Sequence, residues 1–144
     1  MTVAAILKHK GHDVASISPT ATIAELVDML AAKRIGAVVV QDAAGQLLGI
    51  VSERDIVAAL AANRAHVLEM TAGQLMTRAL KTATPQTTVA ECMTMMTAGR
   101  FRHLPVLDHG KLVGIVSIGD VVKARITQQD HEVDSLKAYV TGAA

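Results

Sequence analysis

A seven-residue frame is written twice in this chain, as Gly49-Ile50-Val51-Ser52-Glu53-Arg54-Asp55 and, 65 residues later, as Gly114-Ile115-Val116-Ser117-Ile118-Gly119-Asp120. In both copies an apolar run rich in β-branched residues ends at a Ser, and an Asp follows three residues on. Apolar residues at helical spacing start there, Ile56, Val57 and Leu60 in one copy and Val121, Val122 and Ile126 in the other. The pattern predicts a strand running into a helix N-terminus. Ser and Asp at that place cap the first turn, and the same oxygens and backbone N–H groups are suited to hold a sugar hydroxyl and a phosphate.

The duplication reaches beyond the frame. Ser18–Ala43 aligns with Thr84–His109, and Gly45–Val57 with Gly110–Val122 after a deletion at Ala44, giving 17 identities in 39 positions. Two halves with one fold are therefore expected. Each half reads strand, helix, strand, hairpin turn, strand, helix. The strands are expected at Asp13–Ser18 and Leu80–Thr84, then at Ala37–Val40 and Leu104–Leu107, and last at Leu47–Val51 and Leu112–Val116. Thr22-Ile23-Ala24-Glu25 and Thr88-Val89-Ala90-Glu91 are capping boxes that open the first helix of each half. Met1–Gly11 is expected to form a short helix on the body, Ala61–Met76 to link the halves, and Lys123–Tyr139 to form an extended helix with a polar interruption at Gln128–His131. The expected division is 1–72, an N-terminal helix and the first repeat with its linker, and 73–144, the second repeat and the C-terminal helix.

Composition removes several function classes. Phe101 and Tyr139 are the only aromatic residues, so stacking platforms for single-stranded nucleic acid are missing, and a net charge of +1 gives no footprint for a phosphate backbone. No apolar stretch approaches the ~20 residues of a membrane span, and no secretory leader pattern is visible. With Cys92 the single cysteine, no internal disulfide is possible, and a cytoplasmic location is expected. Catalysis finds no support. Glu25 and Glu91 belong to capping boxes, and neither a nucleophile elbow nor a phosphate loop is present. His9 and His12 have a helix-compatible metal spacing, but without a third ligand nearby a surface role is expected and no metal site is assigned.

Together, the opening Ser-Pro or Thr-Pro, the Phe101-Arg102-His103-Leu104-Pro105-Val106 strand with its Asp-Gly hairpin, and the paired Gly-Ile-Val-Ser-x-x-Asp resemble the cystathionine-β-synthase (CBS) domain. Two copies over roughly residues 10 to 126 resemble a Bateman module. The resemblance implies an α/β (α+β) fold of two pseudo-symmetric β-α-β-β-α units packed sheet to sheet. It also implies adenosine-containing ligands (AMP, ADP, ATP, NAD(H) or S-adenosylmethionine) in two clefts, and a homodimer that signals to a regulated protein. The C-terminal apolar positions Val133, Leu136, Tyr139 and Val140 are expected near the subunit boundary.

Carried onto this sequence, the resemblance gives one cleft Ile50, Ser52, Arg54 and Asp55 with Leu80, Lys81, Phe101, Arg102, His103 and Pro105. The other takes Ile115, Ser117 and Asp120 with Gly11, Val14, Ile35, Gly36 and Ala37. Asp55 or Asp120 would bind ribose hydroxyls and the preceding Ser would lie near phosphate. Arg54, Lys81, Arg102 and His103 make the first cleft the more cationic, whereas Ile118 and Gly119 replace Glu53 and Arg54 in the second. Lys8, Lys10 and His12 are the cations that could compensate there. Against binding stand two plainer readings, in which the Ser and Asp residues are helix caps only or Arg102 and His103 are a solvent-facing strand edge. As functions, a purely structural dimerisation module and a nucleotide-hydrolysing enzyme are the alternatives to a nucleotide sensor.

Overall fold

The computed structural model describes residues 1–78 and 80–141. In chain order the elements are α1 (Val3–Lys10), β1 (Ser16–Ile17), α2 (Ile23–Lys33), β2 (Ala37–Gln41), β3 (Leu47–Ser52), α3 (Glu53–Asn63), a 3-10 turn (Arg64–Glu69), α4 (Ala72–Leu75), α5 (Val89–Gly99), β4 (His103–Asp108), β5 (Lys111–Ser117) and α6 (Ile118–Val140). They form two compact units. One comprises Asp13–Lys81 with Gly110–Leu112, the other Met1–His12, Thr82–His109 and the chain from Val113 onward.

In the first unit, β2 pairs in parallel with β1 and antiparallel with β3, Val39 facing Ile50 and Ala37 facing Ser52. Ala37 to Val40 are all buried, as expected for a central strand that is covered on both faces. Ile23, Leu26 and Leu30 of α2 close the core over Val38, Val40 and Val51. The β2–β3 turn uses Gly45 at φ +84° and the Asp42 carboxylate, which accepts from Ala44 and Gln46 N–H at 2.9 Å each. The segment expected as a plain linker contributes more than a connection, since Val67, Ala72 and Met76 belong to this core.

The second unit repeats the plan with β4 and β5, and its counterpart of β1 is a single parallel bridge, Ala83 with Val106. Its core holds Val89, Cys92, Met96, Leu104, Val106, Val116 and Val121, and also Val3, Ile6 and Leu7 of α1. The helix at the N-terminus thus packs with the second repeat, whereas the sequence division grouped it with the first. The reason is visible in matched backbone bonds. Val3 N–H donates to Thr87 O at 2.8 Å, Ala4 N–H to Pro85 O at 2.9 Å, and Met1 O accepts from Val89 N–H at 3.0 Å. In the first unit Ala72 N–H donates to Ala21 O at 2.8 Å, Gly73 N–H to Pro19 O at 2.9 Å, and Met70 O accepts from Ile23 N–H at 2.8 Å. The short helix that precedes each repeat closes the core of the other repeat.

The glycine of each duplicated frame makes room for this closing segment. A Cβ built on Gly49 would stand 2.7 Å from Thr77 O, and one on Gly114 would stand 2.7 Å from Leu7 Cδ2. At Gly49 backbone comes too near for a side chain, whereas at Gly114 the near neighbour is the end of the Leu7 side chain. α6 runs unbroken through the polar stretch Gln128–His131, as the reading of an extended helix expects. That stretch carries neither Gly nor Pro, and exposed polar residues in a helix cost little.

Candidate functional site

Each duplicated frame ends where a strand delivers a helix. Ser52 ends β3 in an extended conformation, φ −104° and ψ 162°, and its Oγ accepts from Asp55 N–H at 3.3 Å. The Asp55 carboxylate answers with one oxygen, Oδ2, which accepts from Ser52 N–H at 2.9 Å and from the Ser52 hydroxyl at 3.0 Å. Glu53 N–H donates to Gly36 O at 2.9 Å. Asp55 Oδ1 has no hydrogen-bond partner among the described residues, so half of this carboxylate is uncommitted.

The second junction copies these bonds. Ser117 Oγ accepts from Asp120 N–H at 3.2 Å, Asp120 Oδ2 accepts from Ser117 N–H at 2.8 Å, and Ile118 N–H donates to Arg102 O at 2.8 Å. Both Ser/Asp pairs are therefore complete capping boxes, and the plain capping role is real. One difference separates the junctions. Lys10, at the end of α1, places its Nζ 2.6 Å from Asp120 Oδ2 and donates to Ile115 O at 2.9 Å. Partial burial pushes the Asp120 carboxyl upward, but the Lys10 hydrogen bond, the Ser117 bonds and the Lys10 charge outweigh it and hold the group below its ordinary value. Beside it, His12 Nδ1 lies 2.9 Å from Val113 O, which only accepts, so that nitrogen carries the proton.

The residues named from sequence fall into two sets. The first unit holds Ile50, Ser52, Arg54, Asp55, Val14, Ile35, Gly36, Ala37, Leu80 and Lys81. Of these, Gly36 and Ala37 sit directly beside Ser52 by backbone pairing, Ile50 and Ala37 are buried, and Arg54 and Lys81 are exposed. The second unit holds Gly11, Phe101, Arg102, His103, Pro105, Ile115, Ser117 and Asp120. Arg102 adjoins the Asp120 junction through its carbonyl while its side chain is exposed, and Pro105 is buried. Lys10 was one of three cations considered for phosphate. Its observed partner is Asp120. The signal for this placement was faint, because Thr2 and Leu7 correspond to Thr71 and Met76 but the connection to the Pro19 position is three residues longer than that to Pro85.

Among the described residues no cluster of His, Cys, Asp and Glu could hold a metal ion, and no helix is long and apolar enough to cross a membrane.

Comparison with known proteins agrees with the duplicated architecture. A CBS-domain containing protein from Agrobacterium tumefaciens is 46% identical, with a TM-score of 0.85 over 87% of this chain and 99% of its own. The CBS domain pair of protein MJ0100, solved in complex with 5-methylthioadenosine and S-adenosyl-L-methionine, is 26% identical with a TM-score of 0.78, over 89% of this chain and 98% of its own. CBSX2, solved in complex with AMP, is 26% identical with a TM-score of 0.72, again over 89% and 98%. The CBS domain family model matches twice, at residues 4–62 and 72–127. The chain belongs to the CBS domain family and carries two tandem copies of the domain.

Proposed function

We propose that this chain is a regulatory module that binds an adenosine-containing ligand at the Ser52–Asp55 junction and passes the resulting conformational change to a protein partner. Asp55 supplies the ribose contact. The observation that carries this reading is the difference between the two carboxylates. Each carboxylate leaves Oδ1 without a hydrogen-bond partner among the described residues, but the Asp120 charge is paired with Lys10, whereas none of the described ion pairs includes Asp55. An ionised oxygen fixed by its helix cap is preorganised to accept from vicinal hydroxyls.

The ligand class is supported by two similar structures. AMP in one and methylthioadenosine with S-adenosylmethionine in the other have adenine and ribose in common and differ at the 5′ position. ADP, ATP and NAD(H) carry the same adenosine group and belong to the proposed class. Arg54, exposed on the first turn of α3, and Lys81 are the cations of the same unit suited to a phosphate. Regulation follows from differential binding, since a ligand favouring one conformation over another shifts their populations by its difference in affinity.

Mass spectrometry of small molecules released from freshly purified protein tests the class. An adenosine compound in stoichiometric amount supports it. Failure of every adenosine compound to bind in calorimetry would favour a structural module, the reading to which the completed capping boxes at both junctions lend support.

A further inference from the structure

We propose that the exposed length of α6 pairs in parallel with α6 of a second copy of this chain, forming a short two-stranded coiled coil. From Val122 to Val140 a stripe advances in alternating steps of four and three: Val122, Ile126, Gln129, Val133, Leu136, Val140. This is the a/d spacing of a heptad, with Ile126, Val133 and Val140 at a. Among the described residues nothing buries this stripe. Ile126 is 53% exposed, Val133 50%, Leu136 63% and Val140 73%, while the same helix gives Val121 and Ala124 to the core. A helix with one apolar stripe in the core and another in water has a place for a partner.

The flanking charges choose that partner and its direction. Arg125 and Glu132 fall at g, Asp130 and Lys137 at e. In a parallel pair each g residue meets the e residue five positions later on the other helix. Arg125 then meets Asp130 of the partner subunit, and Glu132 meets Lys137 of the partner subunit. Both contacts join opposite charges, and the two-fold axis doubles them. An antiparallel pair centred on His131 would set Glu132 near Glu132, Asp130 near Asp130 and Lys123 near Lys137. None of these four residues makes an ion pair within the chain among the described residues, and Glu132 only accepts a long 3.4 Å bond from Gln128 Nε2. β-branched residues at a with Leu136 at d favour two strands, and Gln129 at d is a polar position that sets register. Fewer than three heptads would not hold two free helices together, but α6 is nucleated by its Ser117 cap and its buried first turns before pairing begins.

Sedimentation velocity on the full chain and on charge variants tests the proposal. The parent is expected to dimerise. Glu132→Lys and Lys137→Glu each put like charges at both two-fold copies of the 132–137 contact and are expected to weaken dimerisation about tenfold or more. An equimolar mixture of the two, or the double variant, is expected to restore it. Thermal unfolding of each variant checks that the fold is intact. Val140→Cys reports direction: in the parallel pair the two thiols adjoin, whereas in the antiparallel pair they lie ~27 Å apart. Oxidation is expected to link Val140→Cys faster than Ser135→Cys, which is on the outer face, and buried Cys92 does not compete. A monomeric parent, a dimer indifferent to both charge reversals, or equal cross-linking at 135 and 140 would overturn the proposal.

Discussion

Lys10 Nζ stands 2.6 Å from Asp120 Oδ2, joining the first helix to the second duplicated frame across 110 residues of sequence. The contact makes two equivalent junctions chemically unequal and has a pH signature. Because the Asp120 carboxyl is held below its ordinary value in the folded chain, its contribution to stability is complete above the unfolded carboxylate range, ~3.9, and is lost as pH falls through the folded value. Both side chains are partly exposed, so Lys10→Met is expected to cost only about 0.5–1 kcal/mol at neutral pH. Thermal unfolding across a pH series checks this. The gap between parent and variant should narrow as pH falls below the ordinary carboxylate range and at high salt, and a gap unchanged by acid would contradict the ion pair.

The same inequality predicts ligand binding. Asp120→Ala is expected to affect adenosine binding far less than Asp55→Ala, since the charge of the Asp120 carboxylate is already paired with Lys10. Titration calorimetry on both variants checks the order, with fold integrity followed by circular dichroism because both substitutions also remove a capping residue. Equal losses would remove the distinction between the junctions.

Gly49 and Gly114 differ in what a methyl group would strike. At Gly49 the obstacle is the Thr77 carbonyl, which is backbone; at Gly114 it is the end of the Leu7 side chain. Gly49→Ala is therefore expected to destabilise by about 1–3 kcal/mol, and Gly114→Ala by less because the end of a side chain yields more readily than backbone. In denaturant unfolding, Leu7→Ala should partly rescue Gly114→Ala, and strict additivity would show that the two residues do not press on each other.

Cys92 is buried on α5, and burial, with Glu91 second, raises its thiol pKa. Thiol reagents are expected to modify it only at the rate of unfolding, and fast labelling of native protein would place it elsewhere.

Much of this fold is legible in local chemistry. The Thr22 and Thr88 caps, the hairpin turns and the strand-to-helix junctions depend on neighbours within a few residues and appear where the spacing puts them, although the reciprocal capping box expected at both Thr residues is complete only at Thr88, with Glu91. The placement of α1 is not local. Nothing within Val3–Lys10 says that its partner is Thr87 and Val89 rather than the repeat that follows it, and only the equivalent bonds of the Thr71 segment reveal the exchange. The second repeat's first strand shrinks to Ala83 because a single pair of backbone bonds to Pro105 and Leu107 suffices there. At the two junctions the Ser and Asp residues stand where the sequence spacing puts them, but a cation that arrives on a preceding helix is invisible to spacing within the motif.

The most direct measurement of the central claim is calorimetric titration of ligand-free protein with AMP, repeated on Asp55→Ala. Saturable binding by the parent is expected, with a loss of about 1.5–3 kcal/mol in the variant, the range for a hydrogen bond to a charged group. Unchanged affinity in Asp55→Ala, with the fold intact, would contradict it and leave Asp55 a helix cap.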